Sequence, residues 1–238
     1  MRTQRTHDKI YLNESSYNEP KRLHKFICQV SIEKVDENEK LNLCDFGCGA
    51  GDFLYYVRSR LPKSNLMGID VLPELIDKGC TNLPSVNFQL GNVLDSTLRS
   101  SNEFDKVFLT GVHMIFDEFE TCFSNLIDWT KPGGSVCITG MFNPYPVDVI
   151  IKYKHSVDYD NDMYEDGWNI FSQQSVIHYL KKKPKVSSFA FHEFKIDLDL
   201  PKQEDYIRSW TFPTFSGDRL ITNGLCILQP IYLLEIKL

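Results

Sequence analysis

Apolar positions along the chain fall into two rhythms, one helical and one alternating. In PKRLHKFICQVSIEKV, residues 20–35, Leu23, Phe26, Ile27 and Val30 recur at three- and four-residue spacing, which predicts an amphipathic helix ahead of the first strand. KLNLCDFG reads as a buried strand ending at Asp45. DFLYYVRSRLP reads as a helix with Phe53, Leu54, Val57 and Leu61 on one face, closed by Pro62. NLMGID is the next strand, and LPELIDKGC a helix with Pro73 near its first turn. VNFQLGN and FDKVFLTGV are strands, FETCFSNLIDWT is a helix stopped by Lys131-Pro132-Gly133-Gly134, and SVCITGMF is the fifth strand.

Strands separated by helical segments make βαβ units, whose right-handed crossovers build a parallel, doubly wound sheet. After Phe142 the rhythm breaks into a long aromatic and acidic stretch that ends in a helix capped by Ser172. Two last runs, SSFAFHEFKIDLDL and GLCILQPIYLLEIKL, are too extended in their apolar content for amphipathic helices and predict paired strands at the sheet edge. The expected fold is therefore α/β. It is a Rossmann-like, doubly wound, mostly parallel seven-stranded sheet with an antiparallel edge strand, an N-terminal helical segment and a helical lid inserted after strand five.

With 42% hydrophobic and 24% charged residues, the chain has the composition of an ordered globular protein. Its net charge is -6, and its one tight basic cluster, Lys181, Lys182, Lys183 and Lys185, reads as a solvated helix end. Nucleic acid is disfavoured as a partner, because Lys and Arg contacts to phosphate supply most of that affinity. Seven cysteines, at 28, 44, 48, 80, 122, 137 and 226, contain no C-x-x-C pair, which argues against a disulfide framework and a structural metal. No stretch has the apolar length of a signal peptide core or a membrane span. A reducing, cytoplasmic setting without membrane insertion is expected, and oligomeric state leaves no signal.

Between the first strand and its helix stands DFGCGAGD, with glycines at 47, 49 and 51. The dinucleotide fingerprint G-x-G-x-x-G would need its third glycine at Asp52. A diphosphate would also sit beside Asp45 and Asp52, where like charge is unfavourable. A ligand carrying a cation suits a carboxylate at the strand end, and glycines let the backbone approach it closely.

This stretch resembles the first motif of the class I S-adenosylmethionine-dependent methyltransferases, acidic-x-G-x-G-x-G, here DFGCGAG. Asp70 in LMGID matches the family's acidic residue at the end of strand two, which the resemblance implies accepts both ribose hydroxyls. Asn92 and Val93 in QLGNVLD match the polar-apolar pair that frames adenine, although members often carry Asp where this chain has Asn92. FDKVFLTGVHMI and TKPGGSVCITG look like the fourth and fifth landmarks. The resemblance spans roughly residues 40–142 and implies S-adenosyl-L-methionine as cofactor, with S-adenosyl-L-homocysteine as product. It carries Asp45, Gly47, Cys48, Gly49, Gly51, Asp70, Val71, Asn92, Val93, Thr110 and Gly111 into the cofactor site.

Methyl transfer from a sulfonium is a direct displacement, so the protein mainly aligns the acceptor and excludes water; a base is needed only where the acceptor carries a proton. Ligands of open α/β sheets bind at the carboxyl ends of the strands, which nominates Thr110 to His113, Asn143 to Asp148, and the lid. His113 is the candidate general base, and its competing role is a histidine that caps or packs in the loop. Asn143, Tyr145 and Asp148 either contact a polar acceptor or form a Pro-punctuated turn, NPYP. In the lid, Tyr153, His155, Tyr159, Tyr164 and Trp168 interleave with Asp158, Asp160, Asp162, Glu165 and Asp166. Aromatic faces beside carboxylates suit a sugar-like polyol or a cationic amine, and equally a packed cap with a solvated acidic loop. Asn143, Tyr145, Asp148, Tyr153, His155 and Trp168 are the candidate acceptor contacts.

The leading IYLNESSYNEPKR is expected to fold over the cofactor, with Arg22 a candidate partner for its carboxylate or else a surface arginine. TGVH stands where N/D-P-P-Y/F would mark amino-methylation of DNA bases or protein glutamine. The expected organisation is one domain over 1–238: an N-terminal cap 1–39, a cofactor core 40–142, a lid and acceptor insertion 143–185, and C-terminal strands 186–238. The plan is similar to small-molecule and sugar methyltransferases of bacterial biosynthetic and surface-polysaccharide clusters. It implies O-methylation of a sugar, nucleotide-sugar or saccharide intermediate. Alternatives are an N-methyltransferase acting on a small amine, a noncatalytic S-adenosylmethionine-binding subunit and an NAD-dependent oxidoreductase.

Overall fold

The computed structural model describes residues 6–13, 16–144, 146–157, 163–194, 209–214, 216–222 and 231–238, with the backbone alone at 6–9, 212 and 222. Five strands follow one another through the first part: β1 (Asn42–Phe46), β2 (Asn65–Asp70), β3 (Asn87–Leu90), β4 (Phe104–Thr110) and β5 (Thr130–Asn143). Short strands β6 (Lys152–Tyr153), β7 (Glu165–Asp166) and β8 (Phe171–Ser172) come next. They are followed by β9 (Ser188–Phe194), β10 (Trp210–Pro213), β11 (Arg219–Thr222) and β12 (Ile231–Lys237). The helices are α1 (Arg22–Ser31), α2 (Asp52–Arg60), α3 (Pro73–Asn82), α4 (Glu120–Trp129) and α5 (Gln173–Leu180).

The main sheet runs in the order β3-β2-β1-β4-β5-β12-β9, with β8 paired to the end of β5. Strands β1 to β5 are parallel, whereas β12 is antiparallel to both β5 and β9. The two late runs do pair with each other, and the antiparallel strand lies one place in from the edge, so the outermost strand, β9, runs parallel to β5. Strand order reverses at β1, between β2 and β4. In an open α/β sheet that switch point opens a cleft at the carboxyl ends of the strands.

Alternation along each strand sorts the core into two layers. Cys44, Phe46, Val107, Leu109, Val136, Ile138, Leu234 and Ile236 face α4 and α5, packing with Phe123, Leu126, Val176 and Leu180. Leu43, Phe108, Cys137 and Leu233 face the opposite layer, with Ile27 of α1, Leu54 and Val57 of α2 and Ile76 of α3. A third cluster, Met114, Met141, Tyr153, Trp168, Ile170, Phe194, Ile221 and Ile231, gathers residues from the loop after β4, from β5, β9, β11 and β12, and from the segment between β5 and β8.

Two expectations change in detail. Among the described residues between β5 and α5 the segment is held by β pairing: β6 pairs with β7, and Val149 bridges Ile170. Its helix, α5, is the crossover to β9. Val176 and Leu180, four residues apart, form one buried stripe against the α4 layer, so α5 belongs to the core and not to a cover. The Lys131-Gly134 stop lies inside the extended element β5, where the register against β4 shifts and Gly133 takes φ 79°. Among the described residues no helix is long and apolar enough to cross a membrane.

Candidate functional site

The glycine turn at the end of β1 is bent by three left-handed residues, of which Gly47 (φ 71°) and Gly49 (φ 56°) show two different demands. A Cβ on Gly47 would lie 2.2 Å from Val112 Cγ2, so the loop after β4 closes directly on this turn. A Cβ on Gly49 would meet nothing within 4 Å, and its peptide is instead tied to Asp70: Gly49 N–H donates to Asp70 Oδ2 at 2.9 Å. The other oxygen, Asp70 Oδ1, accepts Leu72 N–H at 3.0 Å. The carboxylate thus joins the two turns from the end of β2, and its paired oxygens are the acceptor type that suits a vicinal diol.

Asp45 is only 2% exposed, and its Oδ1 has no hydrogen-bond partner. Burial, aided by the nearby Asp70 charge, pushes its carboxyl well above the usual carboxylate range. Thr110 Oγ1 and Thr139 Oγ1 are likewise buried without partners. Thr110 and Thr139 are directly paired across β4 and β5, and Asp45 is paired with Phe108, two residues before Thr110. By strand alternation all three share the face that carries Leu43, Phe108 and Cys137. A band of unpaired polar atoms thus crosses β1, β4 and β5 between the α1–α3 core and the cluster over the strand ends. Buried polar atoms without partners carry a cost of about 1–3 kcal/mol each, which a ligand supplying those partners removes. Thr139 escaped sequence reading because a threonine inside a strand is ordinary; only its register beside Thr110 gives it meaning.

The remaining cofactor candidates divide by exposure. Val71 is 56% exposed and presents an apolar surface beside Asp70. Asn92 is exposed, and its Oδ1 accepts Leu94 N–H at 3.0 Å in a local turn. The side chains of Cys48 and Val93 are buried in the two core layers, and their peptides are bonded internally: Cys48 N–H donates to the Ile69 carbonyl, and the Val93 carbonyl accepts Asn125 Nδ2–H at 2.8 Å. Gly111 N–H donates to Thr139 carbonyl at 2.8 Å, pinning the β4 end to β5. The N-terminal segment does reach the glycine turn: Tyr17 OH donates to the Ala50 carbonyl at 2.5 Å, Ser16 N–H donates to Asp52, and Tyr11 and Leu12 pack against Ala50, Leu72 and Leu75. Arg22 is exposed in the first turn of α1.

His113 is placed elsewhere than the expected base. Its ring is fully buried on the opposite side of the sheet, stacked on Phe142 at 4.6 Å and 13°, with Phe123 and Phe171 around it. Burial holds its pKa down at about 3, outweighing the smaller upward pull of the Met141 backbone. A neutral ring enclosed by phenylalanines cannot take a proton from an acceptor in the cleft, so its packing role prevails.

The acceptor candidates are spent on internal bonds. Asn143 Nδ2 donates to the Val147 carbonyl at 2.8 Å, closing the turn after β5. Asp148 accepts Ser172 N–H at 2.5 Å and Ser175 Oγ–H at 2.8 Å, supporting the Ser172 cap of α5. Tyr153 OH donates to Glu165 at 3.0 Å, and the Tyr153 ring meets His155 edge-on at 5.6 Å. Trp168 is buried in the cluster over the strand ends. Lys152 pairs with Asp117 and Asp166. Tyr145, Asp158, Tyr159, Asp160 and Asp162 lie outside the described residues.

The donor and acceptor set fits S-adenosylmethionine: a buried carboxylate for a cation, a strand-end carboxylate for a diol, an exposed valine for a flat ring, and a turn too acidic for a diphosphate. A family model for a methyltransferase domain matches residues 37–201. Trans-aconitate 2-methyltransferase of Rhizobium meliloti is 30% identical over 94 residues, 40% of this chain and 36% of that protein. Malonyl-[acyl-carrier protein] O-methyltransferase 2 of Ilyobacter polytropus is 21% identical over 154 residues, 63% of this chain and 57% of that protein. The matches thus span from about a third to just over half of these relatives. In fold, a SAM-dependent methyltransferase of Methanosarcina mazei superposes with a TM-score of 0.53 at 13% identity, covering 84% of this chain and 94% of that one. With its class I strand order, its glycine turn and a match over most of its length, the chain belongs to the methyltransferase domain family.

Proposed function

We propose that this chain transfers the methyl group of S-adenosylmethionine to an oxygen of a small acidic acceptor. The observation that carries the reading is the band of unpaired buried polar atoms at the switch point, centred on Asp45. When bound, the cofactor supplies a methyl on a sulfonium, with a neutral thioether as leaving group. Asp45 holds the cationic amino-acid end, Asp70 accepts the ribose hydroxyls, and Val71 covers one face of the adenine. The apolar cluster over the strand ends excludes water, so that an acceptor oxygen is held in line about 3 Å from the methyl carbon.

A carboxylate is already deprotonated at neutral pH and needs no base. The expected saccharide acceptor would present protonated hydroxyls. Of the five lid carboxylates that suit a polyol, Asp158, Asp160 and Asp162 lie outside the described residues, and Glu165 and Asp166 are engaged by Tyr153 and Lys152. The names of the curated relatives, one for trans-aconitate and one for a malonyl carrier, support an acid over a saccharide or an amine.

The test is S-adenosylhomocysteine production from S-adenosylmethionine with separate pools of di- and tricarboxylates, sugars, nucleotide sugars and amines. Turnover is expected in the carboxylate pool. Turnover confined to the sugar or amine pools removes the acid acceptor, and no heat of binding for S-adenosylhomocysteine at millimolar dose removes the cofactor reading.

A further inference from the structure

The hairpin β10–β11 lies against the carboxyl ends of the sheet strands, because Ile221 packs with Met114 after β4, Met141 of β5 and Ile231 of β12. Its antiparallel register sets Thr211 opposite Ile221 and Pro213 opposite Arg219. Residues two apart on a strand, and residues directly across it, share a face, so Thr211, Ile221 and Arg219 all point to the same side. That side is enclosed, with Thr211 and Arg219 each only 7% exposed. A buried guanidinium without a counter-charge costs several kcal/mol. Yet Arg219 Nε and Nη1, and Thr211 Oγ1 on the same face, have no hydrogen-bond partner.

We propose that Arg219 and Thr211 seat a carboxylate of the acceptor, an assignment that rests on reading the chain as a methyltransferase for small acids. The planar guanidinium fork matches the two oxygens of a carboxylate and stays charged when buried, and the threonine hydroxyl adds a further donor from the facing strand. The cationic seat and the anionic Asp45 then bind opposite charges: Asp45 takes the cofactor's ammonium, and Arg219 takes the acceptor's carboxylate. Neutral sugars and amines leave Arg219 without a counter-charge, which makes it a specificity-determining residue.

Malonate and trans-aconitate, titrated by calorimetry into the chain saturated with S-adenosylhomocysteine at fixed ionic strength, test this, with malonamide as the neutral control. Both acids are expected to bind and to raise the melting temperature, and malonamide to do neither. Arg219→Gln should weaken acid binding about 10- to 100-fold, the range for a hydrogen bond to a charged group, with S-adenosylhomocysteine affinity kept. Arg219→Lys should fall between, and Thr211→Val should lose less. Equal acid affinity in wild type and Arg219→Gln overturns the proposal. So does a wild type that responds to inorganic phosphate and to neither acid, or to none of the three, a result that needs no variant to fold. Failure of the wild type to bind S-adenosylhomocysteine strikes the methyltransferase reading itself, and so is distinguishable from failure at Arg219.

Discussion

Asp45 and His113 are both buried and both titratable, Asp45 Oδ1 and the two His113 ring nitrogens have no hydrogen-bond partner, and the residues lie on opposite faces of one sheet. Asp45 has company: Thr110 and Thr139 leave unpaired oxygens on the same face, at the strand ends where the chain order reverses. His113 is alone among Phe123, Phe142 and Phe171. An unpaired polar atom means a ligand when its neighbours are unpaired too and a cleft adjoins them; enclosed by aromatic rings, it is a neutral packing group with a cost in stability. The two residues should therefore respond oppositely to substitution.

The largest effect is expected from closing the cleft at its floor. Gly47→Ala forces a side chain into φ 71°, which costs about 1–2 kcal/mol for an L-residue, and sets its Cβ 2.2 Å from Val112 Cγ2. S-adenosylhomocysteine binding, followed by calorimetry, should be lost and the melting temperature lowered. Gly49→Ala carries only the backbone cost, since its Cβ meets nothing within 4 Å. A Gly47→Ala protein with unimpaired binding would mean that the Val112 loop does not border the ligand.

Next comes Asp45→Asn. Loss of the charge should weaken S-adenosylhomocysteine about 10- to 100-fold, yet the ligand-free protein should be no less stable at neutral pH. The folded Asp45 has a raised pKa and holds its proton above the unfolded value of 3.8, so its contribution to stability declines as pH rises through that window. Binding a cation reverses the preference and expels the proton. Wild-type affinity should thus climb with pH until the raised folded pKa is passed, and Asp45→Asn should flatten the climb. Calorimetry in buffers of different ionisation enthalpy reads the released proton directly, and no release from the wild type would separate Asp45 from the ligand.

How far each face could be read from sequence follows the same division. Gly47, Gly49, Asp45 and Asp70 act through backbone shape and strand ends, features fixed within a few residues, and DFGCGAG and LMGID displayed them openly. The parallel order was equally visible in the alternation of short apolar runs with amphipathic helices. The acceptor side depends on which polar groups turn inward, and that is settled by long-range pairing. Asn143, Asp148 and Tyr153 looked available and are held by Val147, Ser172 and Glu165. Arg219 sits in DRLIT, a run with no motif, and is enclosed only because β10 pairs with β11 and Ile221 joins the cluster over the strand ends.

The smallest effect at neutral pH, and the sharpest test of the contrast, is His113→Phe. The ring is nearly replaced in kind, so stability at pH 7 should change by less than about 1.5 kcal/mol, and both S-adenosylhomocysteine affinity and turnover should be kept. The difference should emerge in acid. Folded His113 has a pKa of about 3, against 6.5 when unfolded, so between those values the unfolded chain binds the extra proton and wild-type stability falls as pH falls. At pH 5 this amounts to roughly 2 kcal/mol from the one ring, about 1.4 kcal/mol for each pH unit below 6.5. His24, buried against Phe53 with a pKa lowered to about 4, adds a slope of the same sign that the substitution leaves in place. Denaturant melts of both proteins from pH 7 to pH 4.5 should therefore diverge, with His113→Phe gaining relative stability as the pH drops. Lost turnover at pH 7 with S-adenosylhomocysteine affinity intact would return His113 to the cleft as a base, and the two faces of the sheet would no longer differ in kind.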